Sequence, residues 1–317
     1  KMEISVKASS QSILGILPVA RGTIERSIKP VWADEWALVG HGESYDTCGV
    51  WLTKGCLNVE AHSYSRVTID GGKSPIGLAV FKRYQMSCDR LSCPVCFKFG
   101  AKRGAKKIAH RLEAWKSKGN RKVIHVSLSP SSQDFLSLSY LGLRKKAYRV
   151  AKKCNIFGGS LMFHAFRKDS GGWYFSPHFH LLGYGWVKNV EEVFSKDGWV
   201  VKNHGVRESV RGTAFYILTH AGVHEKIKTI TWFGCLAYSQ RVKVSPLPKS
   251  ESKCPVCGRM LVPLAYFGKK PLPKEEGFYL WEASKFVEID YRNQFFKERE
   301  LGAVSYKEWE LWRIKWS

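Results

Sequence analysis

The chain has 317 residues, 44% of them hydrophobic, which is enough for one large domain or two ordinary ones around a real core. Lys and Arg number 51 against 27 Asp and Glu, a net charge of +24, which favours a polyanionic partner over a small neutral ligand. There is no run of about 18 apolar residues and no secretory signal pattern, so no membrane partner is expected, and cysteine spacings that suit metal imply a reducing, cytoplasmic compartment.

Residues 1–47 show little periodicity and read as an N-terminal arm. Residues 48–121 are expected to hold a zinc-binding module followed by a basic helix. Nine cysteines are an odd number, and Cys88, Cys93, Cys96, Cys254 and Cys257 fall at spacings that suit metal better than disulfides, which implies a reducing compartment. Cys93-Pro-Val-Cys96 with Cys88 supplies three thiolates for a structural zinc, and Cys48, Cys56 or His62 offers the fourth ligand. The sequence GGKS at 71–74 is not a phosphate-binding loop, because the first glycine of that motif falls at Val67. From Phe97 onward, Ala101, Ala105, Ile108, Ala109, Leu112 and Trp115 recur at helical spacing. Residues 82–122 carry thirteen Lys or Arg and two Asp or Glu, a concentration of charge suited to tracking phosphates.

Residues 122–234 read as the central domain. A strand is expected over 123–129, a helix over 141–154 with Cys154 a buried helix residue, and strands over 160–166 and 173–185. The last two are close enough for a hairpin, so the fold class is α+β with a central antiparallel sheet and flanking helices. In PHFHLLGYG, His178 and His180 stand at i and i+2 on a strand and share one face, with Phe179 facing the opposite way. Two adjacent imidazoles can chelate one divalent ion. His164 on the neighbouring strand is the preferred third ligand and His220 the reserve. A helix near 210–221, closed by Gly222, puts Tyr216 and His220 on one face. A phenol is a poor nucleophile near its free pKa of about 10, and a metal polarising the substrate would offset that weakness.

Residues 235–270 are expected to form a zinc-knuckle insertion around Cys254-Pro-Val-Cys257, with Cys235, His220 and His224 as candidate partners. Residues 271–317 read as an aromatic, mixed-charge helical tail.

The order of these pieces resembles the rolling-circle replication initiators of small plasmids and viruses, in the HUH endonuclease superfamily. HVSLSP (125–130) resembles the family's first motif, His178–Phe179–His180 its second, and YILTHAGV (216–223) the helix bearing its nucleophilic tyrosine. CDRLSCPVCFKFGAKR (88–103) is similar to the cysteine element that precedes the first motif in many plasmid members, and FHAFR with SPHFHLLGYG looks like the archaeal branch. The resemblance covers roughly residues 48–260 and implies an RRM-like, ferredoxin-like nuclease core. It further implies Tyr216 as nucleophile, a catalytic Mn²⁺ or Mg²⁺, and structural Zn²⁺. The implied partners are single-stranded or hairpin DNA at a replication origin, together with a host helicase and DNA polymerase. In many members a lysine follows the tyrosine; this chain offers His220 there. The rival readings are a non-catalytic zinc-containing DNA-binding regulator, and a transposase or relaxase with the same chemistry.

Overall fold

The computed structural model describes residues 29–62, 64–67, 73–116, 121–240, 242, 244–246 and 252–289. Its elements begin with β1 (Ala37–Leu38), β2 (Trp51–Cys56), α1 (Val59–His62), β3 (Tyr64–Val67), β4 (Lys73–Ile76), β5 (Leu78–Gln85) and α2 (Phe97–Lys116). They continue with β6 (Ile124–Ser129), α3 (Ser132–Ser137), α4 (Tyr140–Lys153), β7 (Ile156–Asp169), β8 (Gly172–Gly185), α5 (Val190–Asp197), β9 (Val200–Val206) and α6 (Val210–Leu218). The last strands are β10 (Gly222–Val223), β11 (Ile230–Gly234), β12 (Val262–Tyr266), β13 (Gly277–Glu282) and β14 (Phe286–Glu288). The chain is thus mixed α+β with antiparallel sheets.

The first five-stranded sheet runs in the order β11-β7-β8-β6-β9, with every pairing antiparallel. Its middle strands are buried on both faces, since alternate side chains enter two separate cores. Val126, Phe163, Phe179 and Leu181 pack with Leu143, Ala147 and Val150 of α4. On the opposite face, Met162, Leu182 and Tyr184 meet Ala101, Ala105, Ile108 and Leu112 of α2, and Ala214, Ile217 and Leu218 of α6. Burying each Ile or Leu of the α2 stripe contributes about 1.5–3 kcal/mol. The Tyr184 hydroxyl donates to the Leu112 carbonyl at 2.8 Å and fixes helix against strand. By alternation, His178 and His180 share the α2/α6 face of β8.

Three expectations change. Part of the supposed irregular arm is a wedge: Trp36 is 4% exposed, with Tyr140 and Phe163 ring centroids each 4.5 Å away, and β1 pairs with β10. Two tryptophans, Trp32 and Trp36, give this segment enough apolar surface to dock without periodicity; residues 1–28 lie outside the described residues. Next, α6 stops at Leu218, and Gly222 opens β10 instead of closing the helix.

The third change concerns the modules. A second five-stranded sheet, β13-β5-β2-β12-β14, draws its strands from the 48–121, 235–270 and 271–317 segments, which the sequence reading kept apart. The described part of the expected helical tail is therefore β-strand over Gly277–Glu282 and Phe286–Glu288. GFYLWE alternates in exposure and pairs residue for residue with β5, which overrides any local helical preference. Residues 290–317 of the tail, and Gly71 and Gly72 of GGKS, lie outside the described residues; Lys73 and Ser74 belong to β4. Among the described residues, no helix is long and apolar enough to cross a membrane.

Candidate active site and metal centres

The β7–β8 hairpin brings three histidines together. His164 and His178 are directly paired across the two strands, and Met162 pairs with His180. Between His164/His178 and Phe166/Phe175, β8 carries two residues, Ser176 and Pro177, opposite the single Ala165. Pro177 has no N–H to lose from the ladder, and the bulge re-aims the strand where the site begins. Each of His164, His178 and His180 offers one ring nitrogen, and these atoms lie within 4.8 Å of one another.

The tautomers fit a metal. His178 Nδ1 donates to the Ser176 carbonyl at 2.8 Å, which leaves Nε2 with a lone pair. His164 has the Ile217 backbone as its partner, while its Nε2 is buried and has no hydrogen-bond partner among the described residues. An orphaned buried nitrogen costs about 1–3 kcal/mol, and a divalent ion would satisfy it. Burial, reinforced by neighbouring charges, pushes His164 and His180 well below the usual imidazole range; burial and Arg167 hold His178 down to about 4. All three are therefore neutral at pH 7, the form a metal requires.

A cleft of about 1240 Å³ opens over this cluster, and His164, His178, His180, Tyr216 and His220 line it with Arg167 and Arg207. Tyr216 is 67% exposed on α6, so its side chain is open to the cleft and not packed into the core. His220 is not among the converging nitrogens. Because α6 ends early, His220 falls in the turn after the helix, where Nδ1 lies 3.0 Å from the Tyr216 carbonyl oxygen and its ring sits 4.9 Å from the Tyr216 ring. The reserve-ligand expectation is corrected accordingly.

Two further histidines escaped the sequence reading. His125 on β6 and His204 on β9 line the same cleft, with His125 Nε2 2.9 Å from His180 Nδ1. His125 opens the HVSLSP motif, and strand alternation from Ser127, which pairs with His180, would have placed it on the histidine face. His204 carries no comparable local signal.

The cysteines sort into two groups. Cys48, Cys88, Cys93 and Cys96 form one; Cys56, His62, Cys254 and Cys257 form the other. Both are compatible with structural zinc. A zinc tetrahedron with Zn–S distances of about 2.3 Å has S···S edges of about 3.8 Å. The Cys93–Cys48 and Cys56–Cys257 separations are 3.7 and 3.6 Å, and His62 Nε2 lies 3.3 Å from the sulfurs of both Cys254 and Cys257. The Arg259 backbone N–H holds Cys257 down to about 6; burial opposes ionisation of Cys88, but Arg90 brings it down to about 7.

Of the alternatives for the first group, Cys48 is the fourth member, and Cys56 and His62 belong to the second. The suggested partners of Cys254 and Cys257 are corrected with them. Cys235 follows β11 at the sheet edge, and His224 Nε2 lies 2.8 Å from Glu35 Oε2. Cys154 is fully buried at the C-cap of α4. No protein-family model, curated protein or solved structure matches the chain.

Proposed function

We propose that the chain is a metal-dependent HUH-type endonuclease that nicks and rejoins single-stranded DNA through Tyr216. The observation that carries this reading is the convergence of His164, His178 and His180 beneath a cleft that also exposes Tyr216. A regulator without catalysis would leave three neutral, converging imidazoles, two of them buried, with no task. The antiparallel sheet with helices on both faces suits an RRM-like nuclease core, and the net charge of +24 suits a DNA substrate.

The histidines would hold Mn²⁺ or Mg²⁺, which, when bound, would polarise the scissile phosphate and offset the charge developing on it. Tyr216 Oη attacks phosphorus; its bond to phosphorus forms as the bond from phosphorus to the 3′ oxygen breaks. The phenol gives up its proton, the 3′ oxygen leaves as a hydroxyl, and a 5′-phosphotyrosine remains. Because one phosphodiester replaces another, the reaction runs backwards to rejoin the strand. The free 3′-hydroxyl would prime rolling-circle synthesis, with a host helicase and DNA polymerase as partners, at a sequence or hairpin in a replication origin. Arg167 and Arg207 line the cleft, and their charge would suit contacts to phosphate.

Incubating the protein with Mn²⁺ and single-stranded DNA should give a protein band shifted by attached oligonucleotide, with Tyr216 as the modified residue by peptide mass spectrometry. Tyr216→Phe should keep DNA affinity within about twofold and leave no adduct. An adduct on Tyr174, which also lines the cleft, would remove Tyr216 from its role; no adduct in the wild type would favour the regulator.

A further inference from the structure

The three converging histidines are not held in the same way. His178 rests on a main-chain carbonyl and His164 on the Ile217 backbone, partners supplied by the fold whatever the side chains. His180 depends on a side chain: its Nδ1 lies 2.9 Å from Nε2 of His125, which is 7% exposed. A ring nitrogen offers a lone pair only when it carries no proton. A His180 that binds an ion through Nε2 therefore keeps its proton on Nδ1 and donates it to His125. His125 must then accept at Nε2 and carry its own proton on Nδ1.

The neighbouring strand is deformed at this position. Ile124 pairs with Val206 and Val126 with Asn203, so His204 and Gly205 on β9 stand opposite the single residue His125. Gly205, at φ 82°, supplies the left-handed conformation such a bulge uses. The result is a stack: the His204 ring lies 4.4 Å from the His125 ring at an interplanar angle of 19°. His204 Nε2 is itself bound by Ser127 Oγ at 3.0 Å, one alternation along β6 from His125. A Ser, a bulge and two imidazoles thus hold one acceptor nitrogen beneath His180.

We propose that His125 is a positioning residue of the metal site, accepting the His180 Nδ1–H and fixing that ligand's tautomer and ring plane, with His204 as its buttress. The inference rests on the metal-binding reading given above. His125 acts only through His180. Removing such an outer partner typically weakens metal affinity about 10- to 100-fold.

The test is calorimetric titration of the full chain with Mn²⁺, a hard ion that thiolate sites disfavour. His178→Ala should abolish binding at the histidine site. His125→Leu, close in volume but with no acceptor, should weaken it about 10- to 100-fold, and His125→Gln, whose amide oxygen can accept, should recover most of the loss. Wild-type affinity in His125→Leu overturns the inference, and so does equal weakness of the Leu and Gln variants, which would make the role one of packing. A wild-type protein that binds no Mn²⁺ overturns the metal-dependent reading itself. Imidazole ¹⁵N spectra of the wild-type protein with Mg²⁺ test the same point without substitution: His125 should be the Nδ1–H tautomer, and an Nε2–H His125 would be a donor and refute the proposal.

Discussion

His164 sets binding against stability. It is 5% exposed on the sheet, and its Nε2 has no partner among the described residues. Natural cores tolerate such an atom where function needs it, because an unsatisfied buried polar group costs about 1–3 kcal/mol. His164→Leu should therefore melt no lower than the wild type without added metal, despite losing the backbone contact at Ile217, while Mn²⁺ no longer raises its Tm. A large loss of metal-free stability, read by thermal denaturation, would mean that the nitrogen is satisfied by something other than an ion. The candidate ligands His178 and His180 were legible in sequence because strand alternation puts i and i+2 on one face. His204 was not, because only the β6–β9 register shift swings it over His125.

At the scale of elements, α3, α4 and the entry to β9 meet at Asp134. Ser131 caps α3 by accepting from the Asp134 N–H, while the Asp134 carboxylate takes the Trp199 indole N–H at 2.6 Å and the Lys146 ammonium at 2.6 Å. Burial opposes ionisation there, but Lys146 and Trp199 outweigh it and hold the carboxyl below its usual range. A depressed folded-state pKa contributes stability that is complete above the unfolded value of about 4 and is lost as pH falls through the folded one. Asp134→Asn should cost about 1.5–3 kcal/mol at neutral pH, with the gap closing below about pH 4 in urea melts. An unchanged gap in acid would mean that shape, not charge, is at work. The α2 stripe was readable at this scale, since Ala101, Ala105, Ile108 and Leu112 repeat at helical spacing and all are fully buried. The end of α6 was not: His220 looked helical and Gly222 looked like its stop, but the β10 pairing with β1 claims the chain.

Across the whole molecule, the Cys56–His62–Cys254–Cys257 group joins segments about 190 residues apart, and among the described residues the sheet beside it has only small buried clusters. Long-range ligation offsets the entropy of closing that loop, so much of the second sheet's stability should reside in the metal. Atomic emission should find about two zinc ions per chain and about one in Cys254→Ser. Hydrogen exchange in that variant should rise in β2, β5 and β12 well before the β6–β9 sheet; uniform protection throughout would show that the second sheet stands without zinc.

The sequence by itself determined what local chemistry can specify: the α+β class, the histidine pair on one strand face, the cysteine pairs with metal-ligand spacing, and the basic amphipathic helix. Tertiary structure alone decided which distant residues complete each set, namely Cys48 for one cluster, Cys56 and His62 for the other, and His125 beneath His180. Spacing along a chain constrains ligands only within a turn or a strand. Partners separated by tens or hundreds of residues are chosen by sheet register and bulges, which depend on packing across the whole fold.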